Sequence, residues 1–157
     1  MEQHECDSAR DRNQLAAQLR QLLQQQLHMV LATHDGSAPY TSLMAFDASE
    51  DLARLFFVTA RATRKFSNMA ANNRVSVLID NRTNRSTDFQ STLAVTALGE
   101  AKELQGEDRR GPLAHFLLRH PNLEPFCLAA STAFMEIKVS RYILVNRFEE
   151  VQLFDIL

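Results

Sequence analysis

The N-terminal part of the chain carries a helical pattern of hydrophobic residues. Between Ser8 and Leu27 the apolar positions are leucines spaced three and four residues apart, which places them on one face of a helix. These leucines are Leu15, Leu19, Leu22, Leu23 and Leu27. Asp7 or Ser8 is expected to cap the helix. The leucine stripe spans too few heptads for a coiled coil, so we expect this helix, at about residues 8–27, to pack against the domain's own sheet.

Short strand-like runs joined by turns follow the helix. They lie at 27–34, 38–46, 53–59, 74–80 and 91–103, with two more after residue 130. Asp35-Gly36 is a strong turn signal, and the polar run 47–51 predicts another turn. The alternation of Val75, Val77 and Ile79 is typical of a half-buried strand. Many short strands with little helix between them predict a mainly β fold, an antiparallel barrel of six or seven strands with peripheral helices.

One helical region interrupts the strands at about residues 106–130. In GPLAHFLLRH the apolar residues fall on one side of a helix, and Pro121 ends it. A second short helix is predicted in PNLEPFCLAA. At 157 residues the chain is long enough for one domain with a proper core, so we assign residues 1–157 to a single domain.

The composition is that of an ordinary globular protein, with 45% hydrophobic and 23% charged residues. The formal net charge of -2 gives no general attraction to nucleic acid or to an anionic membrane, so neither is expected as a partner. No apolar run reaches the length of a membrane span, and the first residues lack a signal-peptide pattern. Cys6 and Cys127 have no metal-binding spacing, so two reduced thiols in a cytoplasmic protein are expected.

Phenylalanines are numerous for so small a barrel. Together with the leucine face of the first helix, five of them present more apolar area than we expect one subunit to bury. They are Phe46, Phe56, Phe57, Phe134 and Phe148. A subunit interface would cover the excess, which predicts a homodimer.

The six residues RATRKF begin a predicted short helix at about 63–72. Thr63 is a good N-cap, because its hydroxyl can accept a hydrogen bond from a backbone N–H two or three residues on. Arg64 and Lys65 place two cations in the first turn, where they oppose the helix dipole at a cost of about 0.3–1 kcal/mol each. A bound anion would remove that conflict.

The chemistry of this helix start fits a phosphate monoester. Phe66 occupies the position where a capping box would have Glu or Gln, so no side-chain carboxylate of the helix accepts hydrogen bonds from the free N–H groups. Amides, a hydroxyl and the cations Arg64, Lys65 and Arg61 together suit a phosphate dianion. The alternative is that Arg64 and Lys65 simply point to solvent.

Three stretches between about Leu31 and Glu103 carry a resemblance to a known family. They are LATHDGSAPYTSLMAF, LFFVTARATRKFSNMAANNRVSVLID and LAVTALGEAKEL. The order of features is a strand, an xDGxPY turn, a second strand, a strand ending in Thr, a T/S-R-K helix start and N-x-R-V-S. This order resembles the pyridoxamine 5'-phosphate oxidase-like family of split-barrel flavoproteins, over about half of the chain. It implies an antiparallel split β-barrel.

The resemblance also implies FMN bound at a homodimer interface. On the family's pattern Thr63, Arg64 and Lys65 hold the FMN phosphate. Val58 and Thr59 would lie under the ribityl chain and the phosphate.

A second set of cofactor residues is implied on the strand that follows the xDGxPY turn. This strand would run along the isoalloxazine edge and offer backbone N–H and C=O groups to the ring heteroatoms. Its residues are Ser42, Leu43, Met44, Ala45 and Phe46. The alternative for Leu43, Met44 and Phe46 is plain barrel core, and both roles are compatible because flavins rest on apolar walls.

Departures from the family's pattern concern the substrate. Ser42 stands where the vitamin B6 oxidase has a basic residue, and a Gln of the oxidase is replaced near Ala94. The C-terminal stretch RFEEVQLFDIL lacks the Trp, Arg and His that meet the pyridoxal substrate in the oxidase. Pyridoxamine 5'-phosphate oxidase activity itself is therefore not expected. The resemblance implies a relative with an unassigned substrate, for example a flavin reductase that uses NADH or NADPH.

No catalytic acid or base is assigned from the sequence, and no metal site is expected. His28, His34, His115 and His120 are scattered, and the last two are five residues apart, the wrong spacing for one helical face. Solvent-facing or capping roles are expected for them. Two alternatives to an FMN enzyme stay open: a haem-binding or haem-degrading split barrel with His115 or His120 as axial ligand, and a flavin-binding protein without catalysis.

Overall fold

The computed structural model describes residues 2–147 and 150–157, the first seven of them (2–8) by backbone only. The strands are β1 (His28–His34), β2 (Pro39–Ala45), β3 (Asp47–Ala48), β4 (Arg54–Ala60), β5 (Arg74–Asp80), β6 (Leu93–Glu103), β7 (Thr132–Asn146) and β8 (Glu150–Asp155). The α-helices are α1 (Glu2–Gln25), α2 (Arg64–Ala71), α3 (Asp88–Ser91), α4 (Glu107–Arg119) and α5 (Glu124–Leu128), with a 3-10 turn at Pro121–Leu123.

One antiparallel sheet contains all eight of these strands, in the order β2-β1-β5-β6-β7-β4-β3, and β8 pairs with β7. The sheet curls until β2 and β4, which are far apart in this order, lie side by side. The predicted antiparallel split barrel with peripheral helices is confirmed. The additional strand is β3, because Asp47 and Ala48 pair with Phe56 and Leu55. The prediction of a polar turn over all of 47–51 is therefore wrong at its first two residues.

The barrel interior forms the main core, and α1 packs against it as predicted. Leu19, Leu22 and Leu23 are buried in the same cluster as the strand residues of the barrel. The predicted bounds of this helix are wrong, because α1 begins at Glu2 and residues 7–8 lie within it instead of capping it. The residues that precede Ser8 include good helix formers, which extends the helix. Leu27 lies beyond its end and is half exposed.

The predicted helical insert is present at 107–128. A second core lies between this insert and the outer face of the two strands β4 and β7. Phe56 stacks on Phe134 at a centroid distance of 5.9 Å, and Phe116 of α4 meets Phe134 edge-on at 5.8 Å. Burial also raises the pKa of the Cys127 thiol in this cluster above its ordinary value.

These two cores overturn one argument for a dimer. All four of the counted phenylalanines that the structure describes are buried within one subunit, and Phe148 lies outside the described residues. Exposed apolar side chains lie elsewhere, on the outer face of the sheet and also on the helices. Leu43 of β2, for example, is 73% exposed.

Smaller differences concern β6. It begins at Leu93 instead of residue 91, because 88–91 form a helical turn in which Asp88 accepts hydrogen bonds from the N–H groups of Thr83 and Asn84. A bulge between Leu98 and Gly99 bends the strand against β7. A Cβ at Gly99 would lie 2.4 Å from the carbonyl oxygen of Lys138, so this close approach requires glycine. In the part of the chain that the structure describes, no helix is long and apolar enough to cross a membrane.

Candidate functional site

An open seam between β2 and β4 is the first feature of the candidate site. Among the described strands β2 pairs with β1 alone, so its other backbone edge has no strand partner. On the facing side β3 pairs with β4 only at Leu55 and Phe56, and residues 57–60 therefore also present an open edge. Unpaired edges expose backbone N–H and C=O groups, and these groups can bind a polar heterocycle placed in the seam.

The five predicted residues of β2 and its end divide between the two sides of the strand. Phe46 is fully buried in the main core, and Met44 packs against it. Ser42, two residues before Met44, shares that side. Leu43 points outward and is 73% exposed, and Ala45 packs against the second core. The backbone of the strand borders the seam, whereas the side chains serve the core and the outer surface.

The two predicted residues of β4 lie at the seam but are buried. Val58 belongs to the second core, against which Ala45 also packs from the β2 side of the seam. Thr59 is 2% exposed, and its Oγ1 lies 3.0 Å from the Oγ1 of Thr63. Thr59 therefore supports the residue that begins α2.

Thr63 is the N-cap of α2, as predicted. Its Oγ1 accepts a hydrogen bond from the backbone N–H of Phe66 at 3.4 Å and lies 2.8 Å from the carbonyl oxygen of Ala60, to which it donates. The hydroxyl is thus used within the fold. The backbone N–H groups of Arg64 and Lys65 belong to the first turn, where no intrahelical acceptor exists.

Arg61 does not belong to the cation group that the sequence predicted at this helix start. Its guanidinium forms an ion pair with Glu103 and donates to the carbonyl oxygens of Ala130 at 2.7 Å and Thr132 at 3.1 Å. These partners lie more than forty residues away along the chain, so no local pattern could reveal them. Arg61 ties the loop before α2 to the end of the helical insert.

Arg64 and Lys65 remain available. The guanidinium of Arg64 lies over the ring of Tyr40, 4.9 Å from the centroid. Hydrogen bonds from Ser37 hold the pKa of Asp35 below its ordinary value, and the charge of Arg64 adds a smaller effect. Within residues 2–147 and 150–157, neither Arg64 nor Lys65 forms a hydrogen bond or ion pair through its side chain. Lys65 is half-buried, one turn before the core residue Met69.

A second polar cluster lies at the opposite end of β2, under α4. The carboxylate of Asp47 is buried, with one oxygen 2.5 Å from Nδ1 of His115 and the other 3.5 Å from Arg119. Arg119 also donates to carbonyl oxygens at the end of α1, including that of Leu23 at 2.8 Å. Nε2 of His120 lies 2.7 Å from the carbonyl oxygen of Phe46. As expected, His115 is solvent-facing, with its side chain 62% exposed, and His120 is the C-cap residue of α4, but each ring also has a specific partner within the fold.

A cleft of about 760 Å³ opens beside this cluster. Its lining combines the leucines Leu23, Leu27, Leu52 and Leu118 with polar and charged side chains, among them His115. Nδ1 of His115 faces Asp47, and no described residue forms a hydrogen bond with its other ring nitrogen, which can therefore bind a ligand. Among the residues described, no three His, Cys, Asp or Glu side chains are grouped so that they could hold a metal ion.

Sequence comparison assigns the chain to a family. A model described as pyridoxamine 5'-phosphate oxidase matches residues 15–152, which is most of the chain. The chain belongs to the pyridoxamine 5'-phosphate oxidase family. No curated protein matches it with significant similarity.

Several solved structures share the fold of this family member. An FAD-binding protein from Mesorhizobium loti has a TM-score of 0.66 and 20% identity, covering 81% of this chain and 89% of its own. HutZ, a haem storage protein from Vibrio cholerae, has a TM-score of 0.68 and 15% identity, with coverages of 88% and 92%. A haem-binding protein from Mycobacterium smegmatis has a TM-score of 0.76 and 16% identity, and the match covers 89% of this chain and 57% of that one. At these identities the likeness concerns the fold.

Proposed function

We propose that this protein is an FMN-dependent oxidoreductase whose cofactor lies in the seam between β2 and β4, at the interface of a homodimer. The observation that carries the proposal is the conjunction of an open strand edge with a cation-rich helix start. The seam offers backbone donors and acceptors, and α2 offers first-turn amides beside two uncommitted cations. These are the groups that a flavin ring and a phosphate monoester require.

The phosphate fits the start of α2 on chemical grounds. Arg64 supplies a planar fork for bidentate hydrogen bonds, and Lys65 supplies a mobile point charge. Thr63 closes the turn through its contacts with Ala60 and Phe66. A dianion here would also offset the unfavourable interaction of both cations with the helix dipole.

The flavin ring fits the seam. Backbone groups of residues 42–45 would bind the ring heteroatoms, while Val58 and Thr59 shape the wall from the β4 side. The predicted backbone contact from Phe46 is excluded from the proposal, because its N–H donates to the carbonyl oxygen of Leu27 and its own carbonyl oxygen faces His120. FMN supplies the redox chemistry when it is bound, and this chain's residues hold and orient it. NADH or NADPH is the proposed reductant. The departures at Ser42 and in the C-terminal stretch argue for a substrate other than pyridoxamine 5'-phosphate.

The homodimer is supported by a row on the outer face of the sheet that is apolar except at Thr96, called here the apolar row. Cross-strand partners in register run from β2 to β8 through Leu43, Val30, Leu78, Thr96, Ile143 and Leu153. Leu43, Leu78 and Leu153 are 73%, 38% and 53% exposed. A contiguous exposed apolar surface is typical of a protein–protein interface. A second copy on this face would reach the outer side of β2 and so border the cofactor seam.

Removal of the two phosphate-binding cations tests the proposal. Arg64→Ala with Lys65→Ala should strip FMN from the protein and leave the fold intact, because neither side chain forms a hydrogen bond or ion pair with the residues that the structure describes. The control is Arg110→Ala with Lys138→Ala, which removes the same charge from two exposed positions elsewhere. The measurement is bound flavin per subunit after purification and after addition of FMN. Full flavin content in the first variant would contradict the site assignment.

A second candidate function, haem binding, is favoured by the pairing of His115 with buried Asp47. A carboxylate on one ring nitrogen fixes an imidazole so that the other nitrogen can ligate a metal. The adjoining cleft offers four leucine side chains as apolar contacts, beside polar and charged ones. His120 is the weaker candidate, because its Nε2 already faces the carbonyl oxygen of Phe46.

Titration of the protein with ferric haem tests this second candidate. A Soret shift that is lost in His115→Ala and kept in His28→Ala, an exposed histidine of β1, would support it. Equal spectra for all three proteins would contradict a role for His115.

A further inference from the structure

The ring of Tyr40 supports the guanidinium of Arg64, which lies 4.9 Å from the ring centroid. We propose that Tyr40 is a positioning residue, which holds Arg64 ready for the phosphate and so makes the site selective for phosphorylated over unphosphorylated flavin. This inference rests on the proposed FMN function. Within it, Tyr40 acts through Arg64 and has no contact of its own with the phosphate.

The fold fixes Tyr40 and Arg64 relative to each other through buried neighbours. Tyr40 is the cross-strand partner of Thr33 in β1. The hydroxyl of Thr33 accepts a hydrogen bond of 3.1 Å from the amide of Asn68 in α2, and both of these side chains are at most 3% exposed. Arg64 precedes Asn68 by four residues and therefore lies on the same face of the helix. The contact that holds α2 on β1 thus also places Arg64 over Tyr40.

Stacking leaves the hydrogen-bonding capacity of Arg64 unused. A cation–π contact engages the face of the guanidinium, whereas its N–H donors lie in the plane and point outward. Asp35 is the nearby carboxylate, but its Oδ1 accepts hydrogen bonds from the N–H and hydroxyl of Ser37 at 2.9 and 2.6 Å. The guanidinium fork is therefore ordered and still open to a dianion.

Because Tyr40 orders the Arg64 side chain before binding, it favours a ligand that contacts Arg64. A long side chain that is already held in its binding geometry loses less conformational freedom when the ligand arrives. Only a phosphorylated ligand engages the fork of Arg64, so the benefit applies to FMN and not to riboflavin. A tyrosine that only packs against α2 would instead affect both flavins to the same degree.

Titrations of the full chain with FMN and with riboflavin, followed by flavin fluorescence, test this inference. Tyr40→Leu should weaken FMN binding by roughly two- to fivefold, the size expected for an exposed cation–π contact. Riboflavin binding should not change, and Tyr40→Phe should keep the affinity for FMN because it keeps the ring. In an Arg64→Ala background, Tyr40→Leu should have no further effect.

The outcomes separate this inference from the proposed function. If the unmodified protein binds FMN more tightly than riboflavin and Tyr40→Leu leaves that ratio unchanged, the role of Tyr40 is overturned while the FMN site stands. If Tyr40→Leu lowers the affinity for FMN and for riboflavin equally, the inference is also overturned and Tyr40 is a purely structural residue. The same holds if Tyr40→Leu still lowers the affinity for FMN in the Arg64→Ala background. If the unmodified protein binds neither flavin, the proposed function and this inference both fail.

Discussion

The side-chain amide of Asn68 donates a hydrogen bond of 3.1 Å to the hydroxyl of Thr33, and both side chains are almost fully buried. This contact joins α2 to β1. Because Arg64 is one turn before Asn68, the same contact sets the direction in which the cations of the helix start point. Replacing Asn68 would remove its packing and its hydrogen bond together, and would leave the buried Thr33 hydroxyl without its partner.

Asn68→Ala should lower the free energy of unfolding by about 1–3 kcal/mol, because the Thr33 hydroxyl is left without its buried partner. FMN binding should weaken as well, since α2 is less firmly placed. Urea denaturation and flavin titration measure the two effects. Ser67→Ala, at an exposed position of the same helix, is the control and should change neither. Unchanged stability in Asn68→Ala would contradict the importance of this contact.

Two glycines should respond very differently to the same substitution. Gly99→Ala should destabilise by about 1–3 kcal/mol, because the new Cβ would meet the backbone oxygen of Lys138 at 2.4 Å. Gly111→Ala, in α4 with open space around the Cβ position beyond its chain neighbours, should change stability by less than about 0.5 kcal/mol, because the gain in helix propensity is offset by crowding of the new Cβ against the ring of Pro112. Thermal unfolding of the two variants side by side measures this. Equal effects at both positions would show that the close approach at the bulge is not maintained.

Tyr142 gives a prediction for alkaline pH. Its buried hydroxyl donates to the carbonyl oxygen of Leu52 at 2.8 Å, and burial raises the pKa of the phenol above its ordinary value. Tyr142→Phe should cost about 1 kcal/mol at pH 8 because that carbonyl loses its donor. Above the unfolded-state pKa of about 10 the unfolded chain releases the phenolic proton more readily than the folded one, so the original protein loses stability with rising pH.

The difference in unfolding free energy between the original protein and Tyr142→Phe should therefore shrink between pH 8 and pH values above about 10. Urea denaturation at both pH values measures the change. A difference that stays constant or grows would argue against a raised pKa for this phenol.

Leu43→Asp tests the proposed dimer face. Leu43 is 73% exposed, so a charge there should leave the subunit folded but separate a dimer that buries the apolar row. Leu118→Asp is the matched control, because Leu118 of α4 is 83% exposed and lies away from that row. Sedimentation at micromolar concentration should give a dimer for the original protein and for Leu118→Asp, and a monomer for Leu43→Asp. A monomeric original protein would remove the dimer-interface model of the cofactor site.

Local patterns predicted the features of this fold that depend on neighbours in sequence. The alternation of Val75, Val77 and Ile79 predicted β5 with its observed bounds, because one buried face imposes a period of two. The capping role of Thr63 was predicted because its partner, Phe66, is three residues away. The stop of α4 before Pro121 follows from the missing N–H and the ring of proline.

The features that escaped prediction depend on partners far away along the chain. Asp47 lies in a polar run that predicts a turn. It is nevertheless buried, because His115 and Arg119 of α4 pair with its carboxylate. Arg61 was counted as a free cation because Glu103 is forty-two residues away. The position of Tyr40 under Arg64 depends on the pairing of two strands and a helix, which composition and periodicity do not contain.

The visible absorption spectrum of the purified protein, recorded before and after addition of excess FMN and together with FMN fluorescence, tests the central claim most directly. We predict the paired absorption bands of a bound flavin, or quenching of FMN fluorescence that saturates at one flavin per subunit. A colourless protein that leaves FMN fluorescence unchanged would show that the seam between β2 and β4 does not bind this cofactor.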